Sequence, residues 1–116
     1  MFDLYGKVAL VTGIGGPVDA LGNGKAIAML LARQGAIIEG TDINEAAGAN
    51  TVVAINEAGG AAFCRRVNAT DQLAVAKWVD DCFAQHGRID ILVNNVGQSE
   101  PGGPVSMDAK TWQAQI

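Results

Sequence analysis

Apolar positions along the chain come in short continuous runs, and the segments between them carry helical spacing. Residues 7–12 (KVALVT) form a β-branched apolar run without alternation, as expected of a strand covered on both faces. Residues 13–24 follow as a loop with five glycines and Pro17. Residues 25–34 are rich in Ala, Ile, Met and Leu and predict a helix that Gly35 stops. Residues 36–41 predict a second strand. Asn44 is placed to cap a helix running to about Ala58, ended by Gly59 and Gly60. Residues 61–67 predict a third strand. Residues 71–86 predict the clearest helix, with Val75, Val79, Cys82 and Phe83 on one apolar stripe. Residues 89–93 (IDILV) predict a fourth strand, residues 99–104 a loop, and Asp108 the start of a further helix.

Strands alternating with helices imply an α/β fold with parallel pairing through right-handed crossovers. The chain has 116 residues, enough for one domain spanning 1–116 with a buried core. Its net charge of −4 and lack of a basic run argue against nucleic acid or an anionic membrane as partner. No stretch approaches the roughly 18 apolar residues of a membrane span. No basic segment followed by an apolar one opens the chain, so no signal peptide is read. Cys64 and Cys82 lack CxxC spacing and read as reduced, buried thiols of a cytoplasmic protein. His86, the single histidine, argues against a His-built metal site or a Ser-His-Asp triad. Its place before Gly87 suggests a helix C-terminal role.

Three constellations carry chemistry. Thr12-Gly13 closes the first strand, and Gly22-Asn23-Gly24 opens the helix. Such glycines let backbone amides approach a pyrophosphate at a helix N-terminus. Asp42 stands just past the second strand, 18 residues after Gly24, where a carboxylate accepts from the ribose hydroxyls of an adenosine. It would also repel a 2′-phosphate, and residues 43–50 hold no Arg or Lys to receive one. NAD is therefore favoured over NADP. Asn94-Asn95-Val96-Gly97 closes the fourth strand, at the carboxyl edge where open parallel sheets bind ligands.

Together these motifs resemble the short-chain dehydrogenase/reductase family over nearly the whole chain. Residues 6–13 (GKVALVTG) resemble its first strand and turn, and residues 22–28 (GNGKAIA) the rest of its glycine motif. Residues 68–71 (NATD) resemble the segment that touches the adenine. Residues 90–97 (DILVNNVG) resemble its Asn-Asn-Ala-Gly strand, with Val96 for Ala. The resemblance implies a Rossmann-like, doubly wound parallel sheet, truncated to four strands in the order 3-2-1-4. It implies that Gly13, Gly22, Asn23 and Gly24 hold the pyrophosphate and Asp42 the adenosine ribose, with Ile43 beside it. Asn68 and Ala69 would flank the adenine, and Asn94, Asn95 and Gly97 would line the middle of the cofactor. A small-molecule substrate is implied for the full-length form, and a homo-oligomer is common in the family.

Two departures stand out. Eight residues, 14–21, separate Thr12-Gly13 from Gly22-Asn23-Gly24 where the family usually has three. Added loop length costs little entropy, so the phosphate cradle can survive. The family's Ser-Tyr-Lys set, helped by an Asn, lies downstream of the matched region. Tyr5, the chain's one tyrosine, has Ala9 rather than Lys four residues later and precedes the first strand. No catalytic residue is therefore assigned. The stop at Ile116 falls inside an expected helix, so the sequence reads as the cofactor-binding part of an NAD-dependent oxidoreductase, inactive alone. Two alternatives are a non-catalytic nucleotide-binding module and a degenerate fragment. Within the enzymes, the resemblance implies hydride transfer between nicotinamide and an alcohol or carbonyl carbon, with an enoyl reductase as the alternative that the long loop offers.

Overall fold

The computed structural model describes residues 3–15 and 23–94. Within them the order is β1 (Val8–Thr12), α1 (Asn23–Arg33), β2 (Ile37–Thr41), α2 (Glu45–Glu57), β3 (Ala61–Arg65), α3 (Gln72–His86) and β4 (Ile91–Val93). The strands form one all-parallel sheet in the order β3-β2-β1-β4, as expected. Parallel neighbours need a crossover between them, and each crossover here is a helix.

The expected boundaries move by one or two residues. The first, second and fourth strands start later than expected, and the third stops at Arg65 rather than at residue 67. The first helix begins earlier, taking Asn23 and Gly24 out of the expected loop. The helix expected from Asp108 lies outside the described residues.

Alternation along the strands sorts the side chains into two cores. Ala9 and Val11 of β1, Ile38 of β2 and Ala62 of β3 face α1 and α2, where they meet Ala28, Ala32 and Ile55. Val8 and Leu10 face α3 and meet Trp78 and Cys82. All of β1 is buried, which accounts for its unbroken apolar run. Burying a Leu10-sized side chain stabilises by about 1.5–3 kcal/mol, and Leu10→Ala would cost about 2–5 kcal/mol with the cavity included.

Asn44 caps α2 as expected, and Asp71, expected as the first residue of α3, stands one position before it as its cap. The Asn44 side chain accepts from the Ala47 amide at 3.0 Å, and the Asp71 side chain from the Ala74 amide at 3.1 Å. Gly87, at φ 76°, ends α3 in the left-handed region that favours glycine.

Three expectations need correction. The buried stripe of α3 runs through Trp78 and Cys82, with Val75 and Val79 at its margin, and Phe83 is 56% exposed. Val75, Trp78, Val79 and Cys82 follow i, i+3, i+4, i+7 spacing, which leaves Phe83 off the buried face. His86 does not serve mainly as a cap: its Nε2 lies 2.7 Å from Oε2 of Glu39, and both side chains are nearly buried. A carboxylate in the middle of a covered strand needs a partner there, and His86 supplies it. Cys64 is half-buried rather than buried, because it sits on β3, an outermost strand of the described sheet.

Candidate functional site

The site lies at the carboxyl ends of β1, β2 and β4, with the loop after β1 at its centre. Gly13, at φ 66°, turns the chain sharply off β1. Three hydrogen bonds then fix the next two residues. The Ile14 amide donates to the Thr41 carbonyl at 3.1 Å. The Ile14 carbonyl accepts from the buried Thr51 hydroxyl of α2 at 2.9 Å. The Gly15 amide donates to Oδ2 of Asp42 at 2.7 Å. A side chain does not fit at Gly15: a Cβ there would stand 2.6 Å from Cβ of Ala47 and 2.8 Å from the same Asp42 oxygen.

Asp42 is half-buried at the end of β2. Its second oxygen, Oδ1, accepts from the Asn44 amide at 2.8 Å. Each carboxylate oxygen has one acceptor position left, since the ionised group offers about four. Asp42 can therefore hold the loop and still accept from the hydroxyls of a bound ribose. Ile43 follows, 58% exposed, and presents an apolar face beside the carboxylate.

Farther along the chain stands the amino end of α1. Gly24 is buried in its first turn, and no acidic residue stands in that turn to neutralise the helix's positive end. Free amides and a partial positive charge together form an anion-binding feature. Asn23 contributes its backbone as the first residue of α1.

At the β1–β4 side, the Thr12 hydroxyl donates to Oδ1 of Asn94 at 3.1 Å and reaches the Val93 carbonyl at 3.5 Å. These bonds tie the carboxyl ends of β1 and β4 together through Asn94. At the β3 side, Asn68 uses its side chain in its own turn: Oδ1 accepts from the Thr70 amide at 2.9 Å and from the Thr70 hydroxyl at 2.7 Å. That turn leaves Ala69 half-buried at the surface next to it. Gly22, Asn95 and Gly97 lie outside the described residues.

Two of the residues that shape this site were not read from the sequence. Thr51 had a signal: with Ala47 and Ile55 it completes a buried stripe at spacing four on α2. Gly15 had none, being one glycine among several in a loop.

Both cysteine thiols are held in their protonated form. Burial first, then the Asp42 carboxylate, pushes the Cys64 thiol up to about 11. Burial and nearby Glu39 push Cys82 up to about 12. No cluster of His, Cys, Asp or Glu among the described residues could hold a metal ion. No helix among them is long and apolar enough to cross a membrane. A cleft of about 560 Å3 opens at the opposite, amino-terminal edge of the sheet, lined by Met29, Ala32, Ala36 and Ile55 among others. It shares no residue with the site.

A family model described as enoyl-(acyl carrier protein) reductase matches residues 16–116. The 7alpha-hydroxysteroid dehydrogenase of Escherichia coli K12 is 38% identical over 105 residues, covering 90% of this chain and 38% of its own length. A solved structure from Burkholderia xenovorans, assigned to the short-chain dehydrogenases/reductases, is 44% identical with a TM-score of 0.79. It covers 97% of this chain and 44% of that one. A short-chain dehydrogenase/reductase of Burkholderia phymatum, solved in complex with NAD, is 30% identical with a TM-score of 0.68. It covers 78% of this chain and 31% of that one. The chain thus spans about two-fifths of the length of the curated relative it matches.

Proposed function

This chain belongs to the short-chain dehydrogenase/reductase family, and we propose that residues 1–116 form its NAD-binding, Rossmann-like domain. The observation that carries the reading is the Asp42 carboxylate. It is held by two backbone amides at the end of β2, beside a glycine cradle, with acceptor positions to spare. Glycine at position 15 lets the loop lie against Ala47 and the Asp42 carboxylate, which a Cβ would push away.

In this reading Gly13, Gly22, Asn23 and Gly24 hold the pyrophosphate against the amino end of α1. Asp42 accepts from the adenosine ribose hydroxyls, with Ile43 packing beside them. Asn68 and Ala69 flank the adenine. Asn94, Asn95 and Gly97 line the middle of the cofactor, with Asn94 oriented by Thr12. NAD is favoured over NADP because Asp42 repels a 2′-phosphate. When bound, the nicotinamide supplies or takes a hydride, and the complete enzyme would use it on an alcohol or carbonyl carbon of a small molecule.

The family model's description supports a second reading within the same class, reduction of an enoyl double bond. Activity of the complete enzyme on unsaturated thioesters against alcohols separates the two. The Tyr-x-x-x-Lys pair that the family resemblance implies has no counterpart in these residues, since Tyr5 has Ala9 four residues later. The chain by itself should bind cofactor without turnover. Titration with NADH, followed by nicotinamide fluorescence, tests binding; oxidation of alcohols by the chain above background would contradict the division of labour.

A further inference from the structure

Residues 43–50, directly after Asp42, hold no Arg or Lys. The fold, however, brings a cation to the same place from another strand. Arg66 directly follows β3, and the β2–β3 ladder runs one step beyond the strands through the Asp42 amide, which donates to the Arg65 carbonyl at 3.2 Å. Alternation then separates two neighbouring arginines. Arg65 pairs with Asp81 of α3 at 2.9 Å. Arg66 reaches the β2–α2 loop instead, and its Nε donates to the Ile43 carbonyl at 3.3 Å.

That single bond tethers the guanidinium to the β2–α2 loop and leaves its terminal nitrogens over. They have no hydrogen-bond or ion-pair partner among the described residues. A planar fork of donors with spare N–H groups matches the oxygens of a phosphate. Two carboxylates belong to the same neighbourhood, Asp42 in that loop and Glu45 in the first turn of α2. They oppose an added anion but leave the spare donors of Arg66 unengaged.

We propose that Arg66 is a specificity-determining residue, giving the adenosine site a cation for a phosphate on the ribose 2′ oxygen. The site then takes NADPH as well as NADH, with Asp42 favouring NADH. This rests on the reading of Asp42 as the ribose-binding residue. It adds that the adenosine end is read by two strands, an acid after β2 and a base after β3.

The test compares dissociation constants of the 116-residue chain for NADH and NADPH, by calorimetry at low salt. The variants are Arg66→Gln and Arg66→Lys, each checked for an unchanged circular dichroism spectrum. Arg66→Gln should weaken NADPH about tenfold, the scale of one charge-assisted hydrogen bond, and NADH less than about twofold. Arg66→Lys should recover part of the NADPH affinity. Equal weakening of both nucleotides would overturn the proposal, because Arg66 would then only brace the Ile43 carbonyl. No effect on either, or no NADPH binding beside clear NADH binding, would overturn it too. If the unaltered chain binds neither nucleotide, the ribose assignment of Asp42 itself fails, and the proposal with it.

Discussion

The Gly15 amide and Oδ2 of Asp42 stand 2.7 Å apart, so the loop after β1 and the end of β2 are locked to each other before any ligand arrives. The acid is pre-oriented by the loop, and the loop is shaped by the acid. Preorganisation of this kind lowers the ordering cost of binding.

Gly15→Ala tests that lock. The new Cβ would press on Ala47 and on the Asp42 oxygen at 2.6 and 2.8 Å. Overpacking at such a site costs about 1–3 kcal/mol of stability. The variant should show a lower urea midpoint and weaker NADH binding together. An unchanged midpoint would mean the loop gives way without cost.

The pair beneath α3 should matter for stability and not for binding. His86→Ala leaves the Glu39 carboxylate nearly buried without its partner, a loss of about 3 kcal/mol. Glu39→Gln keeps a neutral hydrogen-bonding group and should cost less. Urea unfolding of both variants checks the order, and a milder effect for His86→Ala would refute the assignment.

Legibility follows from how local each signal is. The four strands and three helices were readable because β1 is an unbroken apolar run and Asn44 and Asp71 cap as their types dictate. Asp42 was readable because its meaning depends only on following a strand. Glu39 and His86 are 47 positions apart, and no periodicity announces a carboxylate inside a sheet. Arg66 was missed for a similar reason: its proximity to Ile43 exists only once β3 pairs with β2. Phe83 lies off the core face because Val75, Trp78, Val79 and Cys82 share the i, i+3, i+4, i+7 stripe, and Phe83 stands about 140° round the helix from Trp78.

Acid stability should carry the signature of Asp90. The Arg88 guanidinium makes two bonds of 2.8 Å to it, and the Val8 amide donates a third at 2.8 Å. These hold its pKa at about 2, below the ordinary 3.8. Ionised Asp90 therefore favours the folded chain. Its contribution is complete above about pH 4 and is lost as pH falls through about 2. Asp90→Asn should flatten that part of the stability curve in thermal scans from pH 5 to pH 2. A curve of unchanged slope would contradict the assignment.

The thiols should resist alkylation while the chain is folded. With Cys64 raised to about 11 and Cys82 to about 12, little thiolate exists at pH 8. Iodoacetamide, followed by mass spectrometry, should label both at least about tenfold more slowly than a free thiol. Urea should restore the ordinary rate. Rapid labelling of Cys82 in the folded chain would contradict its burial.

The most direct measurement is an NADH titration of the 116-residue chain beside Asp42→Asn. The unaltered chain should bind NADH saturably. The variant should bind it about tenfold more weakly, since a charged acceptor to the ribose hydroxyls is replaced by a neutral one. Equal affinity in the two proteins, or no binding by the unaltered chain, would contradict the ribose-binding role of Asp42.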